Sequence, residues 1–152
     1  MKKTTAALLL SSILLWSCDS FNKNKPIQHS DNQTDKQITL SAELEESMQR
    51  GAEVYNSLCV TCHLPDGKGV PKSFPPLANS DYLMNNRSKS IKAIKYGLSG
   101  EITVNGEVYN MPMAALGLTD DEIVDVMNYI TNSWGNTNPS AITVKEVSKI
   151  KP

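Results

Sequence analysis

Two stretches in the middle of the chain place apolar side chains three or four positions apart, as one face of a helix requires. The first predicts a helix over residues 42–58, with Ser41 as its N-cap and acidic side chains in its first turn. The second predicts a helix over residues 89–96, which Ser88 would cap and Gly97 would end. Each helix would bury its apolar face against a common core.

A third amphipathic stretch begins at residues 119–122, whose sequence Thr-Asp-Asp-Glu is a capping box. It predicts a helix that ends at Gly135. Between the second and third helices, Asn105 and Gly106 are flanked by alternating apolar residues, which is the strongest short signal for a β-hairpin. The expected fold class is therefore all-α, with three to four main helices and a small hairpin excursion near residues 102–109.

The N-terminal part differs in composition from the rest. Residues 1–17 carry two lysines followed by a short apolar run, which predicts a secretory signal peptide rather than a membrane-spanning helix. The sequence Leu-Trp-Ser-Cys at its end resembles a bacterial lipobox, so Cys18 is expected to be lipidated; an ordinary cleaved signal peptide is the alternative. Residues 18–40 would form the lipidated cysteine and a disordered tether, because their polar composition cannot bury a core.

The remaining chain is predicted to form a folded domain over residues 41–136 and a C-terminal tail over residues 137–152, with one more helical turn near residues 145–149. The net charge of −1 over 152 residues excludes the polybasic surface typical of nucleic-acid-binding proteins. Residues 41–136 carry twelve acidic and seven basic side chains. This excess favours partners with a basic docking surface, unless the charges are only solvated surface.

The sequence Cys-Val-Thr-Cys-His at residues 59–63 is the motif for covalent attachment of a c-type haem. Cys59 and Cys62 are three positions apart, so on a helical turn both thiols point to one side and can bond the two vinyl groups of one porphyrin. His63 follows directly and would be the proximal ligand of the iron. The motif therefore predicts one covalently bound haem.

Other uses of a Cys-x-x-Cys pair fit the sequence less well. Half of a zinc site would need a second pair of cysteines or histidines at metal-binding spacing, and none follows in the sequence. A redox-active dithiol would need a βαβ pattern around it, which the sequence lacks. A structural disulfide in an exported protein is the third alternative.

Two loops after the motif supply further candidate contacts. The prolines of the loop at residues 73–78 leave their carbonyl oxygens free, so one of them could accept the second ring N–H of His63, while Leu77 could pack on the haem. Met111 and Met113 lie in a later loop, and a methionine thioether is a sixth ligand that haem iron takes in electron-carrying proteins. Each methionine could instead fill the core, which is the common role of this residue.

These motifs together resemble class I c-type cytochromes. The resemblance rests on the haem motif, the Phe-Pro-Pro-Leu loop at residues 74–77, the methionine loop, and the sequence Asn-Ser-Trp-Gly-Asn at residues 132–136. It is greatest to small mono-haem domains associated with nitrite reductases and respiratory oxidases, which carry a similar Val-Asn-Gly-x-x-Tyr-Asn segment, and it covers residues 44–136. It implies the cytochrome c fold around one covalently bound haem c.

The resemblance also implies roles for individual residues. Cys59 and Cys62 would bind the haem covalently, and His63 would be its proximal ligand. Pro75 would accept the ring N–H of His63, and Leu77 would pack on the porphyrin.

Two further expectations come from the same resemblance. Gly51, Tyr55 and Tyr129 would meet where the first and last helices cross. Spacing from the preceding tyrosine selects Met113 as the distal ligand, whereas a following proline selects Met111. Met113 is preferred, because the length of the loop decides where the sulfur atom lies, and Met111 is the alternative.

The implied function is that of a single-electron carrier rather than an enzyme, with a redox-protein donor and acceptor such as a nitrite reductase or a terminal oxidase. Through Cys18 the protein would be lipid-anchored to a membrane of the bacterial cell envelope, facing the periplasm or the exterior. Two alternatives stay open. One is a haem subunit of a larger respiratory or nitrite-reducing complex, and the other is a haem sensor or enzyme with an open sixth iron position.

Overall fold

A computed structural model describes residues 31–152, and the side chains of residues 41–152. Residues 1–30, which include the predicted signal peptide and Cys18, lie outside the described residues. The elements in chain order are α1 (Asp31–Leu58), α2 (Val60–His63), α3 (Asp81–Asn85), α4 (Arg87–Tyr96), β1 (Ile102–Val104), β2 (Glu107–Tyr109), α5 (Asp120–Ile130) and α6 (Val144–Val147). The predicted all-α architecture with one small hairpin is confirmed. No helix within this described part is both long and apolar enough to cross a membrane.

Helix α1 begins at Asp31, well before the predicted start near residue 42. Ser41, the predicted N-cap, therefore lies inside the helix. No glycine or proline occurs between Asp31 and Ser41. Each residue added to an existing helix forms a further backbone hydrogen bond, so the helix continues beyond its packed part. Residues 31–40 are helical rather than part of the tether predicted over residues 18–40, whose earlier portion is not described.

Helices α1 and α5 pack closely across each other at Gly51. A Cβ atom added to Gly51 would lie 2.8 Å from the Cβ atom of Tyr129 and would overlap the backbone carbonyl group of Asp125. One turn further along α1, the ring of Tyr55 lies 5.5 Å from the ring of Tyr129. The predicted crossing of the first and last main helices at these residues is confirmed.

A buried polar network fastens the same two helices to the C-terminal segment. Asp125 of α5 accepts hydrogen bonds from Ser47 Oγ at 2.6 Å and from Arg50 Nε at 2.7 Å, both on α1. Asn128 donates to Ser47 Oγ at 2.9 Å and accepts from the backbone N–H of Ile142 at 2.7 Å. Buried polar side chains need such partners, so this network favours one arrangement of the three segments.

The hairpin forms where it was predicted. Strands β1 and β2 are antiparallel, with Ile102 opposite Tyr109 and Val104 opposite Glu107. The connecting residues Asn105 and Gly106 have φ values of 51° and 81°. Two successive positive φ values define the tight turn that suits the twist of a two-residue hairpin, which explains the choice of asparagine and glycine.

Helices α3 and α4 depart from the prediction at their starts. Helix α3 was not predicted, because five residues are too few to show a helical period; Ser80 Oγ caps it by accepting from Leu83 N at 3.2 Å. Helix α4 begins at Arg87, and only Asn86 separates it from α3, so Ser88 lies inside the helix and does not cap it. Gly97, with φ of 82°, ends α4 as predicted.

Helix α5 begins at the predicted capping box, in which Thr119 and Glu122 bond each other's backbone N–H groups. It ends at Ile130 rather than at Gly135. The next three side chains each donate a hydrogen bond to the carbonyl oxygen four positions earlier, at 2.7–2.9 Å: Thr131, Asn132 and Ser133. The carbonyls of Met127 and Tyr129 also accept the backbone N–H groups of Thr131 and Asn132. The side-chain bonds compete with further helical bonding, so the helix stops there.

The segment predicted as a tail over residues 137–152 is part of the core. Ile142 and Val147 are 2% and 0% exposed, and α6 is the expected extra helical turn. Arg87 donates to both carboxylate oxygens of Glu146, at 2.6 and 2.7 Å. Two apolar residues spread over a polar segment show no periodic pattern, so the sequence did not indicate that both belong to the core cluster.

Candidate haem-binding site

Helix α1 leads directly into the Cys-Val-Thr-Cys-His motif. The backbone N–H of Cys59 donates to the carbonyl of Tyr55 at 2.9 Å, and that of His63 donates to the carbonyl of Cys59 at 3.0 Å. The motif is therefore a helical turn, as its spacing predicted, and it includes α2. Cys59 and Cys62 are free thiols, not a disulfide. Burial, with a smaller contribution from Cys62, raises the pKa of the Cys59 thiol to about 11.

The imidazole of His63 is oriented by Pro75. Its Nδ1 atom lies 3.0 Å from the carbonyl oxygen of Pro75. Because a carbonyl can only accept, Nδ1 carries the hydrogen in this bond and Nε2 keeps a free lone pair. Burial lowers the pKa of His63, and the bond to Pro75 opposes that shift only in part, so the neutral form is favoured. This is the contact expected for Pro75.

Two glycines shape the loop that carries Pro75 and Leu77. Gly69 has φ of 61°, and a Cβ atom there would lie 2.6 Å from the carbonyl oxygen of Pro75. Gly67 has φ of 66°, and its carbonyl accepts the backbone N–H of Leu77 at 2.7 Å. A side chain at Gly69 would push Pro75 away, so this glycine allows Pro75 to reach the ring of His63, whereas a side chain at Gly67 would meet the ring of Trp134.

The residues after α5 hold the same loop from the other side. Trp134 donates through Nε1 to the carbonyl of Pro65 at 3.1 Å, and its ring lies 5.0 Å from the ring of Tyr55. The buried side chain of Asn136 donates to the carbonyl of Leu77 at 2.8 Å. These positioning contacts join residues more than fifty positions apart, so no local pattern in the sequence indicated them.

The methionine loop is attached to the end of α4. The backbone N–H of Met113 donates to the carbonyl of Leu98 at 2.9 Å, and the N–H of Leu98 donates to the carbonyl of Met113 at 2.8 Å. Gly97 makes this approach possible, because a Cβ atom there would lie 2.8 Å from the carbonyl oxygen of Met113. Met111 is 52% exposed, whereas Met113 is partly buried.

Two adjoining apolar cavities lie between these segments. The first has a volume of about 80 Å³ and includes Leu77 in its wall, and the second has a volume of about 240 Å³ and includes Cys62 and Met111. Six residues line both cavities: Cys59, His63, Pro75, Leu98, Ile102 and Met113. The structure thus brings together all the predicted site residues it describes.

The donor atoms around these cavities fit a haem. They are two thiols for thioether bonds, one neutral imidazole and two methionine thioethers. Two thiols, an imidazole and one thioether are the groups that hold a c-type haem and its iron. The lining is almost wholly apolar, as the faces of a porphyrin require. The hydroxyl of Ser90, a residue of the first cavity's wall, is buried and has no hydrogen-bond partner among the described residues.

Comparison with known proteins agrees with this geometry. The family model of cytochrome c matches residues 48–134. The cytochrome c-552 of Thermus thermophilus is 36% identical over 110 residues, which cover 66% of this chain and 83% of that protein.

Cytochrome subunits of dehydrogenases are similar over the same portion. The cytochrome c subunit of the quinone-dependent alcohol dehydrogenase of Gluconobacter oxydans is 31% identical over 103 residues, and the cytochrome subunit of fructose dehydrogenase of Gluconobacter japonicus is 32% identical over 108 residues. The matched portions cover 66% and 64% of this chain but only 22% and 21% of those subunits. The chain therefore belongs to the cytochrome c family, whose domain carries covalently bound haem c and transfers electrons.

Proposed function

We propose that this protein carries one haem, which Cys59 and Cys62 would hold through thioether bonds and whose iron His63 and Met113 would bind, and that it passes single electrons between redox proteins. One observation carries the proposal. Cys59, His63 and Met113 line both apolar cavities, so a thiol, an imidazole and a thioether converge on one space. Histidine with methionine is the ligand pair of electron-carrying cytochromes c.

His63 is already oriented for a metal by its neighbours. Its Nδ1–H donates to Pro75, which leaves Nε2 as the ligating atom. Leu77 lines the first cavity, and its backbone is held by Gly67 and Asn136. We infer that Leu77 packs on the porphyrin, and that the held loop keeps the imidazole from turning when the redox state changes.

Two differences favour Met113 over Met111 as the distal ligand. Met113 lines both cavities, whereas Met111 lines only the second and is half exposed to solvent. The backbone of Met113 is also held by two hydrogen bonds to Leu98. A sulfur atom on a fixed backbone can keep its place in both redox states, so little rearrangement would accompany electron transfer.

The bound haem supplies the one-electron chemistry. The protein excludes water from it with an almost wholly apolar lining. An apolar surrounding disfavours the more highly charged ferric state, and a methionine ligand acts in the same direction, so both raise the reduction potential. The proposed role is therefore that of an electron carrier, the role of the cytochrome c family.

The proposed location is the bacterial cell envelope, on its periplasmic or exterior side, with a lipid anchor on Cys18. The motif ending at Cys18 supports the anchor. Mass spectrometry of the mature N-terminus would detect the acyl groups, and Cys18→Ala is expected to move the protein from the membrane fraction to the soluble fraction. An unmodified wild-type N-terminus would leave export without an anchor.

The redox partners are proposed on two grounds. The sequence resemblance favours a nitrite reductase or a terminal oxidase, and the names of the relatives add a dehydrogenase as a possible donor. The second candidate function is that of a haem subunit bound permanently in a larger complex, since those relatives are dehydrogenase subunits. Purification from native membranes decides between them, because a subunit remains with its complex and a mobile carrier does not.

The ferric absorption spectrum of the holoprotein tests the central proposal. The weak long-wavelength charge-transfer band from sulfur to iron reports a methionine ligand. We expect the band in the wild type and in Met111→Ala, and its loss in Met113→Ala, with Met111→Ala as the matched control.

Each other outcome has a defined meaning. Loss of the band only in Met111→Ala would keep the function and reverse the choice of ligand. A wild type without the band that binds carbon monoxide when reduced would have an open sixth position. That result would reject the electron-carrier hypothesis and favour the alternative of a haem sensor or enzyme.

A further inference from the structure

Lys95, in the last turn of α4, joins three segments of the fold. Its Nζ atom lies 2.7 Å from Oδ1 of Asp120, the first residue of α5, and donates to the carbonyl of Val147 in α6 at 3.0 Å. The side chain of Lys95 is only 16% exposed. A lysine that gives up most of its contact with water needs such partners, so these two contacts fix the position of the ammonium group.

The same end of α4 also holds the methionine loop. Leu98, three residues after Lys95, exchanges backbone hydrogen bonds with Met113 at 2.8 and 2.9 Å. Met113 and Asp120 are the two ends of residues 113–120, the distal segment, which joins the proposed distal ligand to α5. The distal segment is therefore fastened at both of its ends by the last turn of α4 and the residues just after it.

Between its two ends the distal segment has few contacts. Within the part of the chain that the structure describes, residues 114–118 make no backbone hydrogen bond, and their side chains carry no polar atoms. Three of these five residues are exposed, and a Cβ atom at Gly117 would have no neighbour within 4 Å. Leu118 packs against the core, and Leu116 lines the second cavity. The contacts at the two ends therefore contribute much of what decides where Met113 lies.

We propose that Lys95 is a positioning residue of the haem site: its ion pair with Asp120 fixes the far end of the distal segment against α4 and thereby keeps the sulfur atom of Met113 on the iron. The inference rests on the proposed function, because that function makes Met113 the distal ligand. Lys95 lines neither cavity, so it acts through the backbone of the distal segment and not by contact with the haem.

The expected effect follows from the population of a detached state. A competing ligand can bind the iron only in molecules whose methionine has left it, so its apparent affinity rises with the fraction of such molecules. With the ion pair broken, Leu98 holds the distal segment at one end only, and more conformations of the segment carry the sulfur atom away from the iron. Breaking the pair should therefore lower the concentration of competitor that displaces the methionine.

Titration of the ferric holoprotein with imidazole tests the inference, with loss of the sulfur-to-iron band as the readout. Lys95→Met removes the ammonium group, and Asp120→Asn removes the charge of its partner. Each should lower the imidazole concentration at half displacement about three- to tenfold, because this pair is less exposed than a typical surface pair. The double variant should lower it no further than Lys95→Met alone, since both changes remove the same interaction.

Two neighbouring charges are the matched controls. Lys92 lies on the exposed side of α4, and Asp121 is an exposed residue in the first turn of α5. Lys92→Met and Asp121→Asn should leave the imidazole concentration unchanged. Ile142→Ala separates positioning from stability, because it weakens the core at a residue outside the distal segment. It should lower the free energy of unfolding and also leave the imidazole concentration unchanged.

The contrary results have separate meanings. If the wild type shows the band and Lys95→Met needs as much imidazole as the wild type, the ion pair does not position Met113 and the inference is wrong, although the proposed function stands. If Lys92→Met has the same effect as Lys95→Met, the cause is net charge and the inference is again wrong. If the wild type lacks the band, the proposed distal ligand is rejected first, and the inference fails with it.

Discussion

The crossing of α1 and α5 offers a sharp test of the packing that positions the haem motif. The change Gly51→Ala adds one methyl group where α1 lies against the backbone of α5. That carbon atom would lie 2.5 Å from the carbonyl carbon of Asp125 and 2.8 Å from the Cβ atom of Tyr129. Neither neighbour is the flexible end of a side chain, so the two helices must separate to admit it.

Two effects of opposite sign decide how much Gly51→Ala changes the free energy of unfolding. Replacing glycine by alanine inside a helix stabilises it by about 1 kcal/mol. Overpacking of a rigid core costs about 1–3 kcal/mol and sometimes more, and rigid backbone neighbours place this site at the upper end of that range. We therefore expect Gly51→Ala to lower the free energy of unfolding by about 2 kcal/mol, which for a domain of this size lowers Tm by about 8 °C.

Thermal unfolding of the holoprotein, followed by circular dichroism, measures this loss. The matched control is an exposed position on α1, where Asn56→Gly and Asn56→Ala compare the same two residue types without a neighbouring helix. Alanine should be more stable than glycine at position 56 and less stable at position 51. An equal or higher Tm for Gly51→Ala would refute the close crossing.

Three further predictions test other parts of the structure. Ile142→Ala is expected to lower the free energy of unfolding by about 2–5 kcal/mol, because Ile142 is 2% exposed. Denaturant unfolding measures this loss, and a loss of less than about 1 kcal/mol would mean that the C-terminal segment packs loosely. Thr119→Ala should cost about 1 kcal/mol by removing the cap of α5, while Thr119→Ser should retain most of the stability; equal values for the two variants would argue against the cap. The hydrogen bond from Arg87 is the main cause that lowers the pKa of Glu146. The ion pair therefore adds fully to the free energy of unfolding above the ordinary pKa of glutamate, and this contribution is lost as the pH falls through the lowered pKa. Between about pH 5 and pH 3 the Tm of the wild type should fall more steeply than that of Arg87→Gln, and parallel curves would contradict this linkage.

The features predicted correctly from the sequence depend on residues close together in the chain. The capping box joins Thr119 to Glu122, and the hairpin turn uses Asn105 and Gly106. Backbone preferences and hydrogen bonds over a few residues determine both features, so their residue types are sufficient evidence.

The ends of the helices were predicted less well. Helix α1 begins earlier than Ser41 indicated, and α5 ends before Gly135. A helix end is set by small differences between continued backbone bonding and competing side-chain bonds, such as that of Thr131 to Met127. Several residues of similar capping ability lie near each end, so the sequence does not select among them.

The candidate site divides in the same way. The haem motif needs no tertiary structure to be recognised, because Cys59, Cys62 and His63 share one helical turn. The family resemblance predicted that Pro75 and Leu77 belong to the site. The structure shows how their loop is held in place, because the side chain of Asn136 bonds the carbonyl of Leu77. The hydrogen bond from Asn136 to this loop could not be predicted, because an asparagine side chain can bond any backbone group that the fold brings near it.

The sequence by itself therefore determined the chemistry available to this protein: a motif for haem, two methionines in a later loop as candidate ligands, and three amphipathic segments to enclose them. Only the tertiary structure decided which groups meet. It bound the backbone of Met113 to Leu98, left Met111 exposed and buried Ile142 in the core. The physical reason is that residue type sets what a side chain can bond, whereas packing between distant segments sets what it does bond.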